Sequence, residues 1–107
     1  MQRRKPPRFE QFREMFLSAI KDKVNKEVGP ATPWLEVGDE CTRREILQAF
    51  KRQLESDYGT ELVLEPHLVH LDRPVESVAI QMHHVFNTVY LIERLNDKIR
   101  ERQKYRY

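Results

Sequence analysis

The 107-residue chain is poor in cysteine and glycine, and each shortage excludes a kind of site. Cys41 is the single cysteine, so an intrachain disulfide framework is impossible and a reducing, intracellular compartment is expected. The three glycines stand far apart in the sequence, which excludes a glycine-rich phosphate-binding loop. The chain also lacks an apolar run of about 18 residues and an apolar stretch near its start, so we predict neither a membrane span nor a secretion signal.

The histidines do not form a convincing metal site. His83 and His84 are adjacent, and on a helix adjacent side chains point about 100° apart, so the two cannot bind one ion together. His67 and His70 would supply two ligands without a cysteine pair or a clear third partner. Combinations that could serve catalysis occur only at the level that chance provides. We therefore expect no metal, no cofactor and no enzymatic activity.

Charge is unevenly distributed, although the formal net charge is only +2. Residues 1–8 contain four basic residues and no acid, residues 97–107 contain five basic residues against two acids, and residues 9–96 are net acidic. Two basic ends on an acidic body suit contact with a polyanion, self-association or solubility. The residues predicted to contact a polyanion are Arg3, Arg4, Lys5, Arg8, Lys98, Arg102, Lys104 and Arg106.

Two segments in the first half of the chain have the apolar spacing of amphipathic helices. Phe9 to Val28 places apolar residues three or four apart, and Gly29-Pro30 follows, which predicts a helix over about 8–28. The second helix is predicted over about 43–58, with Thr42 and Glu45 as a capping box and Gly59 as its end. Residues 29–41 between them read as an irregular connector.

Trp34 stands alone in that connector and admits two interpretations. In the first, Trp34 and Leu35 fold back as a lid over the core. In the second, Trp34 is an exposed anchor for a partner, because binding hot spots favour tryptophan. Trp34 is accordingly a candidate partner-binding residue.

Residues 74–104 carry an unbroken three-four apolar spacing from Val75 to Gln103, which predicts one long C-terminal helix with Met82 and Val85 buried. Asp72 is its predicted N-cap. The alternative is an α+β fold with a hairpin at 78–95, because the stretch is rich in β-branched residues. The turn at Phe86-Asn87 lacks the glycine that such hairpins favour, so the helix is preferred.

The sequence thus predicts a single, mainly α domain spanning residues 1–107, with a short extended or β segment near 61–71. The predicted long helix is too long for the other two to cover, which leaves Leu95 and Ile99 as candidate partner-binding residues. These features favour a non-enzymatic interaction or adaptor module that self-associates or docks on a protein, without a membrane. The alternative is a small nucleic-acid-binding protein that uses its basic ends.

Overall fold

The computed structural model describes residues 5–61 and 72–104, and this part of the chain is mainly helical, as predicted. A short 3-10 turn, Trp34–Glu36, lies between the first two helices. The α-helices of the described residues are α1 (Phe9–Val24), α2 (Glu40–Tyr58) and α3 (Val75–Lys104).

α3 is continuous through residues 78–95, so the alternative hairpin at that position is wrong. Its length is about 45 Å at roughly 1.5 Å per residue. Met82 is fully buried, as predicted, whereas Val85 is half-buried at the edge of the core. The extended segment predicted near 61–71 lies outside the described residues, except for Glu61, which belongs to no helix or strand.

α1 packs between α2 and α3 and runs antiparallel to both. The ring centroid of Phe12, near the start of α1, lies 5.2 Å from that of Phe50 and 6.1 Å from that of Phe86. Further along α1, Arg13 pairs with Glu76 at the start of α3. Near the end of α1, Lys23 pairs with a residue of the first turns of α2. The N-terminal end of α1 therefore lies beside the middle of α3.

Aromatic rings fill much of the core because they bury large apolar areas in a small chain. Phe16 stacks on Trp34, with 5.7 Å between ring centroids and 25° between planes. Tyr58, at the end of α2, packs edge-on against Phe86 of α3. The core residues contributed by α3 are Val75, Val78, Ala79, Met82, Phe86 and Tyr90.

α1 ends four residues before its predicted boundary. Asn25 adopts the left-handed conformation at φ 54°, and its N–H donates to the carbonyl of Lys21. A short polar side chain such as asparagine tolerates this conformation better than most residues, so it stops the helix. Val28 still reaches the core, but from the loop, which is why the apolar spacing continued beyond the helix.

α2 begins earlier than predicted, at Glu40. Its N-cap is Asp39, whose carboxylate accepts a 2.7 Å hydrogen bond from the amide of Thr42. The predicted capping box is therefore wrong: Thr42 lies inside the first turn, and Glu45 pairs with Lys23 instead. This amide bond holds the pKa of Asp39 below its ordinary value. Gly59 ends α2 at φ 61°, as predicted.

The start of α3 is fixed by the loop that follows α1. The amides of Val75 and Glu76 donate to the carbonyls of Thr32 and Pro30, at 2.8 and 2.9 Å. The two chain segments also meet in an isolated antiparallel bridge between Pro33 and Pro74. These backbone carbonyls cap the first amides of α3. The prediction that Asp72 is the N-cap is therefore wrong.

Candidate interaction surface

α3 extends beyond the rest of the described structure. The hydroxyl of Thr60 and the amide of Glu61 both donate to the carboxylate of Glu93, which ties the end of α2 to α3 at this level. We call residues 94–104 the overhang, a further 16 Å or so of helix. Between Arg94 and Gln103 every side chain is exposed except Asp97, which is half-buried. The overhang therefore offers most of its circumference to a partner.

An apolar stripe runs from the body of α3 onto the overhang. Leu91 and Leu95 are 64% and 59% exposed, and Ile92 and Ile99 are 53% and 45% exposed. Their spacing of three and four residues places them on one face, turned away from the buried Phe86. The apolar stripe is defined as Leu91, Ile92, Leu95 and Ile99.

The sequence identified only half of this stripe. The structure leaves Leu95 and Ile99 exposed, in the positions predicted for partner contact. Ile92 belongs to the three-four repeat that predicts the long helix, and that repeat does not show that Ile92 is exposed. The i, i+4 spacing of Leu91 and Leu95 is the signal in the sequence for this second apolar face.

A row of cations lies beside the apolar stripe. Arg94, Lys98 and Arg102 follow one another at four-residue intervals, so they line one flank of the stripe. We call these three residues the basic edge. All three are exposed, and within residues 5–61 and 72–104 none of them forms an ion pair. Their charges are therefore available to an incoming group.

The N-terminal arm joins α3 on the same side. The ring Nε2 of His83 lies 3.0 Å from the carbonyl oxygen of Pro7, and the rings of Phe9 and Phe12 pack against the imidazole. His83 shares a side of α3 with Arg94, since the two are separated by about three helical turns. The described part of the arm thus lies on the side of α3 that bears the basic edge.

The structure describes some of the residues predicted to contact a polyanion, and the others lie outside the described ranges. Lys5 and Arg8 are exposed on the arm, and Lys98 and Arg102 are exposed on the overhang. Lys104 is the last residue of α3. Arg3, Arg4 and Arg106 lie outside the described residues.

Trp34 is 1% exposed and stacks on Phe16, so it fills the core, as the first interpretation predicted. It does not belong to the exposed surface that a partner would meet in this structure. Leu35 is 56% exposed, and the prediction that it helps to cover the core is wrong. The 3-10 turn points these consecutive side chains in different directions.

The described residues offer little for metal binding or nucleophilic chemistry. They contain no group of three histidine, cysteine or acidic side chains that could hold a metal ion. His83 faces the packed arm while His84 is exposed, and His67 and His70 lie outside the described ranges. The carboxylate of Glu45 accepts a hydrogen bond from the Cys41 thiol and raises the pKa of that thiol, which disfavours the nucleophilic thiolate.

In the described ranges, no helix has the length and apolar character needed to cross a membrane. Comparison of the chain with family models, curated proteins and solved structures finds no match. The surface of α3 is therefore interpreted from its own geometry and charge.

Proposed function

We propose that this protein is a non-enzymatic helical interaction module whose long C-terminal helix docks on a protein in a larger assembly. The observation that carries the proposal is the apolar stripe, which lies exposed on an ordered helix. Contiguous apolar surface on a folded protein commonly marks an interaction site. The core, by contrast, is complete without the stripe.

The geometry also suits a familiar way of recognising proteins. Helices that bind in grooves, or that pair with another helix, present apolar anchors at three- and four-residue intervals. Leu91, Leu95 and Ile99 have this spacing, and the overhang separates two of them from the body. A partner can therefore approach the stripe without displacing α1 or α2.

The proposal is tested by site-specific photo-cross-linking in cells that express the protein. A photoreactive residue at position 95 is expected to form a discrete cross-linked product. The same residue at Gln48, an exposed position of α2, serves as the matched control and is expected to give none. The product at position 95 should disappear on Ile99→Glu. Equal labelling at both positions, or none at either, would contradict the proposal.

Contact with a nucleic acid is the second candidate function. What favours it is the approach of Lys5 and Arg8 to the side of α3 that bears the basic edge, since a polyanion could touch both at once. Binding to DNA or RNA would be independent of sequence and would weaken with salt as counterions are released. A titration by fluorescence anisotropy at low and high salt tests this candidate. Absence of binding at low salt would exclude it.

A further inference from the structure

We infer that the partner presents an acidic amphipathic helix, which packs along the apolar stripe and meets the basic edge with its own carboxylates. This inference rests on the proposed function and adds the chemistry of the partner. It follows from three features of α3: the direction of the stripe, the row of cations along one flank, and the absence of acids from the adjoining part of the same helix.

The basic edge is positioned to contact the flank of a second helix that packs on the stripe. Arg94 and Lys98 each follow a stripe residue, Leu91 and Leu95 respectively, by three positions, so each cation lies one helical turn along from an apolar contact. In paired helices, charges that flank the apolar seam select partner and orientation. Carboxylates on the facing flank of a partner would therefore be attracted, and cations would be repelled.

The opposite flank of the stripe carries less charge than the basic edge. It presents Asn96 and Gln103 on the overhang and the half-buried Val89 nearer the body, with one cation, Arg100, a turn beyond Asn96. The partner therefore needs acids mainly along the flank of its apolar face that meets the basic edge. This asymmetry favours one orientation of the partner helix.

A second α3 helix, from another copy of the chain, does not supply those acids. Residues 77–92 of α3 contain no Asp, Glu, Lys or Arg. In a parallel pair of α3 helices the two basic edges would approach each other, and like charges repel. In an antiparallel pair each basic edge would lie against the uncharged segment of the other copy. Neither arrangement places carboxylates beside the cations of the basic edge.

An anionic membrane fits the surface less well than a helix does. A surface-binding helix usually adds large aromatic anchors to its apolar face, but the stripe is wholly aliphatic. A nucleic acid would use the cations but has no use for the stripe beside them.

The test compares two synthetic helical peptides in binding to the full chain, measured by fluorescence anisotropy. Both have leucines at the apolar positions of about three heptads, and one flank carries glutamates in the first peptide and lysines in the second. Each is used at concentrations where sedimentation shows it to be monomeric. We expect the acidic peptide to bind at least about tenfold more tightly, with the difference shrinking as salt rises.

Charge reversal provides the decisive variant. Replacing the basic edge by Arg94→Glu, Lys98→Glu and Arg102→Glu should invert the preference, so that the lysine peptide binds more tightly. A control with the same change of net charge carries Lys26→Glu, Arg52→Glu and Arg73→Glu, at exposed positions away from the overhang. It should keep the preference for the acidic peptide. Leu95→Glu with Ile99→Glu should remove the binding of both peptides.

Three outcomes would overturn the inference. One is no preference between the peptides, or no binding of the acidic peptide. Another is the same loss of preference in the control as in the basic-edge variant, which would show an effect of net charge alone. The third is binding to phosphatidylserine-phosphatidylcholine vesicles, to RNA or to a second copy that requires the stripe while the peptides show no preference.

The failure of this inference can be told apart from failure of the proposed function. If position 95 cross-links to a protein in cells and reversal of the basic edge leaves that product unchanged, the docking function stands and the acidic partner does not. If position 95 gives no product, the docking function itself fails.

Discussion

The two halves of α3 belong to one continuous helix but depend on different forces. From Val75 to Tyr90 the helix buries a broad face against α1 and the end of α2, and it contains many β-branched residues, which are mediocre helix formers. From Leu91 to Gln103 no side chain is buried, and the sequence is rich in Arg, Lys, Glu and Leu, which favour helix.

The comparison shows that packing stabilises the first half of the long helix, and intrinsic helix propensity supports the second. Isolated helices shorter than about 12–15 residues are marginal in water, so the overhang alone would be weakly helical. The packed half removes the cost of nucleation, and propensity then extends the helix into solvent. Changes in the first half should therefore affect the whole fold, and changes in the second should affect binding.

The largest effect is expected from a charge placed in the packed half. Met82→Glu buries an unpaired carboxylate among apolar neighbours and should lower the free energy of unfolding by about 4 kcal/mol. Leu95→Glu, the matched change on the overhang, should alter it by less than about 0.5 kcal/mol. Urea denaturation followed by circular dichroism measures both. Similar losses in the two variants would break the comparison.

Proline provides a second matched pair at two asparagines of α3. Asn87→Pro removes a backbone hydrogen bond within the packed half and should cost about 3 kcal/mol or more. Asn96→Pro should melt the overhang and leave the core intact, because the helix can end near Glu93 without uncovering apolar side chains. Thermal melts, with backbone chemical shifts at each position, distinguish global from local loss. A large drop in Tm for Asn96→Pro would show that the overhang supports the fold.

The boundary between the halves is expected to lie at Glu93. Glu93→Ala removes the acceptor for Thr60 and Glu61 and should destabilise by about 1–2 kcal/mol, since the buried Thr60 hydroxyl loses its partner. Glu101→Ala, two turns further along α3 and exposed, is the control and should cost less. Equal losses of unfolding free energy in the two variants, measured by denaturant unfolding, would place the boundary further along α3.

The smallest effect on stability is expected from removal of residues 97–107. This deletion should change the free energy of unfolding by less than about 0.5 kcal/mol, because none of the described residues that it removes belongs to the core. It should nevertheless abolish cross-linking at position 95 and reduce any binding to nucleic acid. Unfolding of α1 and α2, seen as loss of dispersed amide signals in nuclear magnetic resonance, would contradict the separation of fold from binding.

The sequence predicted the helices well where the apolar spacing and the signals for a helix end agreed. Gly59 marked the end of α2 correctly, and the long three-four repeat identified α3. At the end of α1 the same logic failed, because Val28 continues the apolar spacing after Asn25 has already ended the helix. At the start of α2 the predicted cap, Thr42, lies inside the first turn, because Asp39, three residues earlier, caps the helix by accepting a hydrogen bond from the Thr42 amide.

The interaction surface was harder to predict because it depends on contacts distant in sequence. Leu95 and Ile99 were recognisable as exposed residues from the length of α3 alone, since the shorter helices cannot cover them. The approach of the N-terminal arm to the side of α3 that bears the basic edge was not, because it requires that α1 run antiparallel to α3 and that Pro7 reach His83. Apolar spacing likewise cannot decide which face of a two-sided helix is buried, so it does not predict that Ile92 is exposed.

The bonds from Val75 and Glu76 to the loop at residues 30–32 also bear on the order in which the chain folds. Bringing these segments together closes a stretch of more than forty residues, at an entropic cost of roughly 3 kcal/mol. The first turn of the longest helix should thus be completed late, after α1 and α2 have collapsed. In native-state hydrogen exchange, we expect the amides of Val75 and Glu76 to exchange only through global unfolding. Amides of the overhang should exchange far faster, through fraying of the helix from Lys104 backwards.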